Sequence, residues 1–344
     1  AGRPAAPAYL QVDRFLGTLV DARALASALE LGLVDTLLSG PRPAAALGGR
    51  LGTPERGLAL LLGLLEANGV VASGEDGVGL TPAFRDALAF RDLLEEKLAF
   101  LALVLPDVAE RFTDLVARPD AFMAGSRVFE LFRYDRCLEV TPGNVAATRR
   151  WMRFTTALTR YEAEACLEAF PFHRHRRLLD VGGNSGELAL RVCRACPELR
   201  ATVLDLPVVC AIGREHVAGE PEAGRIRFAP ADARRDDLPG GHDLVVFKSV
   251  LHDWPDEGAA MLLARAASAL EPGGSLVIFE RGPLVVGAGS LPFWMIPNLL
   301  FLHFLRPPDL YLRELAAHGF EDVAWRQVAL EMPFHLITAR KPVG

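Results

Sequence analysis

Arg177-Leu178-Leu179-Asp180-Val181-Gly182-Gly183-Asn184-Ser185-Gly186 decides the fold. An apolar run of strand length turns into a cluster of glycines, and helix-forming sequence opens at Glu187. A backbone that must approach a ligand closely, or make a tight strand-to-helix turn, favours residues without a Cβ. The helix that follows presents free N–H groups at its start. The spacing differs from the G-x-G-x-x-G of a dinucleotide fingerprint, in which pyrophosphate sits on the helix end. Asp180 stands two residues before the first glycine, where a carboxylate would repel a pyrophosphate and would suit a cation such as an α-ammonium.

Working outward, strands and helices alternate from His173 onward, which predicts βαβ units and a mainly parallel sheet. The candidate strands are 177–181, 201–205, 226–230, 243–249 and 275–280, with helices near 186–196, 207–217, 256–270 and 308–318. The segments 322–329 and 333–339, joined by a short turn, predict an antiparallel hairpin on one sheet edge. Two further acids end successive strands. Asp205 lies where it can accept hydrogen bonds from ribose hydroxyls at the carboxyl edge of the sheet. Asp232 ends the third strand and could meet an adenine amino group. Each acid alone reads equally as a turn or cap residue. Together the three describe a cofactor with an adenosine and an amino-acid ammonium but no phosphate.

Ser249-Val250-Leu251-His252-Asp253-Trp254, directly after the apolar run Leu244 to Phe247, sets an imidazole at the carboxyl end of a buried strand. A titratable ring beside a cofactor cradle points to general-base group transfer. The competing reading is a histidine that caps the helix after Pro255.

The N-terminal part is of another kind. Apolar residues recur at helical spacing from Tyr9 to Leu31, and Thr53-Pro54-Glu55 reads as an N-cap with proline opening a second helix. That helix stops at Asn68-Gly69, and Val70 to Leu80 reads as a short β-hairpin. Helix, helix, hairpin is the pattern of a winged helix. Its leucine-rich helix lacks the exposed Arg, Asn and Lys that read base edges, so a dimerisation module is the expectation. Between the two parts, aromatics recur (Phe100, Phe112, Phe122, Phe129, Phe132, Tyr134, Trp151, Phe154, Tyr161), either as core or as the roof of a substrate pocket.

Composition agrees with this picture. The chain has 344 residues, room for about two domains, and 51% of them are hydrophobic, enough for a large core. A formal net charge of −6 argues against nucleic acid as a partner. The apolar stretch Leu291 to Leu305 is interrupted by Pro292 and Pro297 and is shorter than the ~18–20 residues of a spanning helix, so no membrane contact is expected. The N-terminus lacks the pattern of a secretory signal, and a cytoplasmic location is expected. Five scattered cysteines (137, 166, 193, 196, 210) suggest neither a disulfide framework nor a metal site, because Cys193-Arg194-Ala195-Cys196 has no second ligand pair.

The series LLDVGGNSGELAL, VLDLP, PADAR, FKSVLHDWPDE and LEPGGSLVIFE resembles the S-adenosylmethionine-dependent small-molecule O-methyltransferases, which include plant caffeate enzymes, acetylserotonin methyltransferase and bacterial tailoring enzymes. The resemblance spans nearly the whole chain. It implies a Rossmann-like class I methyltransferase domain over residues 171–344, a winged-helix-like dimerisation domain over 1–95, and a helical linker over 96–170 that contributes to the substrate pocket. It implies S-adenosylmethionine as cofactor, with Gly182, Gly183 and Gly186 beneath its methionine part and Asp180 near the polar tail. Asp205 and Leu206 would meet the ribose, Asp232 and Ala233 would flank the adenine, and Lys248 would stand at the cofactor. His252 would be the base and Glu280 its brace, with no metal. Trp294, Met295, Asn298 and Phe301 would line an apolar acceptor pocket in which Asn298 is the neutral polar hook. The plant enzymes carry a second bracing glutamate where this chain has Leu305, and Asp309 and His303 are the polar residues nearby that could replace it. The function implied is methylation of a phenolic or enolic hydroxyl on an aromatic or polyketide-like natural product by a homodimer. The alternatives are a relative that keeps the cofactor but performs a hydroxylation, decarboxylation or pericyclic step, and a C- or N-methyltransferase.

Overall fold

The structure, a computed structural model, describes residues 6–286 and 291–343. It divides into two compact units, Ala1–Glu110 with Val286–Pro297, and Arg111–Val285 with Asn298–Gly344. Helix Arg91–Ala117 is two helical stretches meeting at Arg111, whose φ of −128° and ψ of 16° leave the helical region at the unit boundary.

In the first unit the single helix expected from Tyr9 to Leu31 is two elements, a 3-10 helix Ala8–Phe15 and an α-helix Leu19–Glu30. The break has a local cause: Thr18 takes extended backbone and its Oγ1 accepts the Asp21 N–H (3.1 Å), so the second helix is capped afresh. Thr53 does not cap the helix Glu55–Ala67 as its sequence suggested, since its hydroxyl turns back to the Leu51 carbonyl (3.5 Å). The helix ends as expected at Asn68, followed by Gly69 at φ 70°. Strands β1 (Val71–Gly74) and β2 (Gly77–Leu80) pair antiparallel with Val71 opposite Leu80.

The second unit is built on a seven-stranded sheet. Its strands are β3 (Arg177–Val181), β4 (Arg200–Asp205), β5 (Ile226–Pro230), β6 (His242–Lys248), β7 (Leu270–Arg281), β8 (Glu321–Ala329) and β9 (Pro333–Arg340), in spatial order β5-β4-β3-β6-β7-β9-β8. Strands β3 to β7 run parallel, and β9 and β8 join antiparallel at one edge, as the sequence suggested. Helices Glu187–Ala195, Pro207–Val217, Asp256–Ala269 and Asp309–Ala317 connect the strands. The central strands read as continuous apolar runs because both faces are covered: Val245, Val246 and Phe247 are fully buried. Strand order reverses between β3 and β6, and in such sheets ligands bind outside the carboxyl ends of the strands at that reversal. The glycine turn leaves β3 and the segment bearing His252 leaves β6, so the topology brings the two to one place. All five cysteines are buried and free, and among the described residues no cluster of three metal-ligating side chains occurs and no helix is long and apolar enough to cross a membrane.

Candidate active site

The glycine turn is shaped by contacts that exclude side chains. Gly182 (φ 68°) and Gly186 (φ 77°) take left-handed backbone, and a Cβ on Gly182 would lie 2.8 Å from Val250 on the neighbouring loop. A Cβ on Gly183 would lie 2.6 Å from the Asp180 carboxylate. Asp180 is 1% exposed and its Oδ2 has no hydrogen-bond partner. Burial, with Asp205 adding to it, pushes its pKa up to about 7 against the pull of Lys248. Asp205 accepts the Asn184 N–H (2.8 Å) and the Leu206 N–H (2.7 Å), yet burial still pushes it up to about 6. Two desolvated carboxylates with spare acceptor capacity are costly in the protein alone. They call for a ligand that brings a cation and hydroxyl donors.

Asp232 is engaged within the chain. Arg234 grips it with two hydrogen bonds of 2.8 Å and lies 4.5 Å over the Trp254 ring, and that guanidinium holds the Asp232 carboxyl below the usual carboxylate range. Ala233 packs against the main core of the second unit, and Leu206 against the cluster around Trp151 and Met152. Lys248 is buried, with its ammonium on Glu162 and on Thr159 Oγ1 (2.9 Å). Glu162 also takes Arg281, whose other nitrogen donates to Ser249 Oγ (2.8 Å). Burial opposes ionisation of Glu162, but Arg281 and Lys248 hold it ionised.

The second centre is the loop after β6. Ser249 takes left-handed backbone (φ 55°), which re-aims the chain into a single 3-10 turn, Leu251–Asp253. His252 is 8% exposed, and its Nδ1 lies 2.6 Å from Glu280 Oε1 at the end of β7. Glu280 is fully buried and saturated: Oε2 accepts the N–H groups of Val250 (3.0 Å), Leu251 (2.9 Å) and His252 (3.4 Å), and Oε1 that of Arg281 (2.9 Å). Burial alone would raise the pKa of Glu280, but His252, together with the N–H and the charge of Arg281, holds it below the usual value. For His252 burial acts downward, and the Glu280 and Asp253 charges outweigh it, so its pKa stands above the usual value. An ionised Glu280 fixes the proton on Nδ1 and leaves Nε2 as the acceptor. This is the electronic arrangement of a general base, and the helix after Pro255 has no histidine cap.

Sequence reasoning missed several members of this centre. Asp253 places Oδ1 3.4 Å from His252 Nε2, and Tyr134 donates to its Oδ2 (2.9 Å). Nothing in sequence marks Tyr134, 119 residues away, as a partner. His303 Nε2 lies 2.6 Å from the Leu115 carbonyl and Asp309 opens the helix Asp309–Ala317, while Leu305 is buried. Phe301 stands 6.3 Å from the His252 ring and 6.0 Å from Phe129, and Phe132, Trp151, Tyr134 and Trp254 continue the aromatic wall. Asn298 precedes Phe301 by one turn, its carbonyl accepting the Phe301 N–H (3.2 Å). Trp294 and Met295 belong to the first unit, where Lys97 lies 5.8 Å over the Trp294 ring.

The profile of the O-methyltransferase domain matches residues 136–289. The chain is 32% identical over 266 residues to 3-hydroxy-5-methyl-1-naphthoate 3-O-methyltransferase of Streptomyces sahachiroi, covering 74% of this chain and 72% of that one. It is 30% identical over 313 residues to the aclacinomycin 10-hydroxylase RdmB of Streptomyces purpurascens, covering 88% of this chain and 82% of the relative. Among solved structures, the S-adenosylmethionine-dependent methyltransferase SibL superposes with a TM-score of 0.65 at 26% identity, over 93% of this chain and 96% of that one. With a Rossmann-like sheet that places a glycine turn beside a histidine-bearing loop, and with these relatives, the chain belongs to the S-adenosylmethionine-dependent O-methyltransferases.

Proposed function

We propose that the protein methylates a phenolic or enolic hydroxyl of a small aromatic or polyketide-like natural product, with His252 as general base. The observation that carries this reading is the buried His252–Glu280 pair, whose Nδ1–Oε1 contact of 2.6 Å would leave Nε2 as the proton acceptor, with the Phe301 ring 6.3 Å from the imidazole. The cofactor fits the residues present. The partnerless Asp180 oxygen would receive its α-ammonium, Asp205 its ribose hydroxyls, and the turn of Gly182, Gly183 and Gly186, whose missing side chains let it pack against Val250, Asp180 and Phe228, would pass beneath its methionine part. Asp232, Ala233, Leu206 and Lys248 complete the proposed set. Asp232 through its Arg234-bound carboxylate and Lys248 through its Glu162 pair would shape the pocket wall. When bound, S-adenosylmethionine supplies an electrophilic sulfonium methyl.

The chain does the rest by position and proton transfer. A phenol (pKa ≈ 10) is a weaker acid than an ordinary imidazolium (≈ 6.5), so prior full deprotonation by imidazole is uphill by about 5 kcal/mol. The raised His252 narrows that gap, and general-base transfer to Nε2 during attack avoids the free phenolate. Glu280 stabilises the imidazolium that forms. Phe301 and Asn298 are proposed to line the acceptor's pocket, its flat face against the rings. The first unit is proposed to pair with a second copy, and the apolar side chains it exposes, Leu60 (65%), Val20 (52%) and Leu19 (47%), support that reading.

The second reading, a cofactor-retaining enzyme that does not transfer methyl, draws on the 30% identity to a hydroxylase; methyl transfer to carbon or nitrogen is a milder variant of the first reading. S-adenosylhomocysteine release and product mass, measured with a panel of phenols and hydroxyquinones, separate the readings. A product heavier by one methylene, lost in His252→Ala, is expected. Turnover that survives in the variant removes His252 from its role, and an oxidised or decarboxylated product selects the second reading.

A further inference from the structure

We infer that Arg306 is a positioning residue for the base, clamping from one side the turn that Glu280 clamps from the other; the inference rests on His252 being the base. The turn Leu251–Asp253 has only one 3-10 helical turn of its own. Such a piece leaves N–H groups unsatisfied at its start and carbonyls at its end, with partial positive charge at the first and partial negative charge at the second. Glu280 meets the N–H end with one oxygen on three successive amides. Arg306 meets the far side of the turn: Nη2 donates to the carbonyl of Trp254 at its end, and Nη1 to the Leu251 carbonyl (3.4 Å), which also accepts the Trp254 N–H (3.4 Å). These two carbonyls bracket His252 and Asp253. An anion therefore holds one end of the turn and a cation the other, and the imidazole between them has its backbone fixed at both sides.

Arg306 is itself held. Its side chain is 13% exposed, Nε lies 3.4 Å from Asp256 Oδ1, and the guanidinium stands 6.0 Å from the Tyr311 ring. Its backbone carbonyl faces His335 Nε2 (3.2 Å), while His335 Nδ1 accepts from Trp325 Nε1 (3.1 Å), so the ring donates its Nε2–H to Arg306. Burial lowers the His335 pKa and keeps this ring neutral. His335 on β9 pairs directly with Glu280 on β7, so both clamps are tied to adjacent strands of one sheet. The planar fork of Arg suits two acceptors at once, and a lysine ammonium lacks that preorganised geometry.

The tautomer of His252 tests the clamp without any acceptor. In protein carrying 15N-labelled histidine, long-range proton–nitrogen spectra of the wild type should show one His252 pattern, protonated on Nδ1. Arg306→Ala should lose that single pattern to averaging between tautomers, Arg306→Lys should retain part of it, and added guanidinium should restore part of it in the alanine variant. A merely structural role would lower the melting temperature without moving the tautomer. Where the alanine variant fails to fold, the lysine variant is read alone. In turnover the clamp predicts kcat lower by about 10- to 100-fold, the scale of a sub-ångström misplacement, with cofactor affinity within about twofold. A folded variant with the wild-type His252 pattern overturns the inference. Turnover that survives His252→Ala, beside a displaced tautomer in the Arg306 variant, overturns the base reading and leaves the clamp as a device of the fold.

Discussion

The two halves of the site treat buried charge in opposite ways. At the glycine turn, Asp180 has a buried oxygen with no partner and Asp205 remains raised despite two backbone donors. On the loop after β6, Glu280 accepts four backbone N–H groups and the His252 ring, and its pKa is low. An unsatisfied buried carboxylate costs free energy that a bound cation can return, whereas a saturated one stiffens its surroundings. The incomplete half is the part proposed to receive the cofactor, and the complete half the part proposed to hold the base still.

The largest expected effect falls on the complete half. His252→Ala should lower kcat by roughly 10²- to 10⁴-fold, the usual worth of a positioned base, while calorimetry finds S-adenosylmethionine affinity little changed. Glu280→Gln should lower kcat by about 10²-fold, as loss of one preorganised electrostatic partner does. It should also move the acidic limb of kcat, measured at saturating cofactor, to lower pH. The sign follows from Glu280 raising the His252 pKa: activity requires neutral His252, is lost as pH falls through that pKa, and the removed charge shifts the loss downward.

On the incomplete half, Asp180→Asn should weaken cofactor binding by about 10- to 100-fold, the worth of a charge-assisted hydrogen bond. The same substitution should raise the melting temperature of the ligand-free protein, since it removes a desolvated carboxylate. The smallest effect is expected at Asp309→Asn. Asp309 opens a helix and has no part in the His252 hydrogen bonds, so kcat should stay within about twofold. A tenfold loss there would mean that the brace of His252 extends beyond Glu280.

Much of this was legible in the sequence because the sheet is written in local runs. Strands β3 and β5 match their expected limits, and the antiparallel edge hairpin follows from two runs and a turn. Asp180, Asp205 and Glu280 lie at or one residue before the end of a strand and His252 on the loop just after β6, so the sheet delivers them to one edge. Residues that come from helices or distant loops left no such trace. Glu162, in the middle of helix Pro142–Ala169, pairs with Lys248 across 86 residues, and Tyr134 reaches Asp253 across 119. Helical spacing at Tyr9 to Leu31 could not show the break at Thr18, because a capping hydroxyl leaves the apolar rhythm intact. The aromatics were visible as residues but not as a wall, since their meeting depends on where Phe301 and Trp254 return to the same face.

The division between the two halves is tested most directly by titrating S-adenosylmethionine into the protein calorimetrically between pH 6 and 8. Asp180 titrates near 7 without ligand and must be ionised to receive a cation. Affinity in the wild type should therefore climb as pH rises through about 7, with proton release on binding at the acidic end, and Asp180→Asn should flatten the climb. A pH dependence that survives unchanged in Asp180→Asn would contradict the account, because the partnerless carboxylate would then have no part in receiving the cofactor.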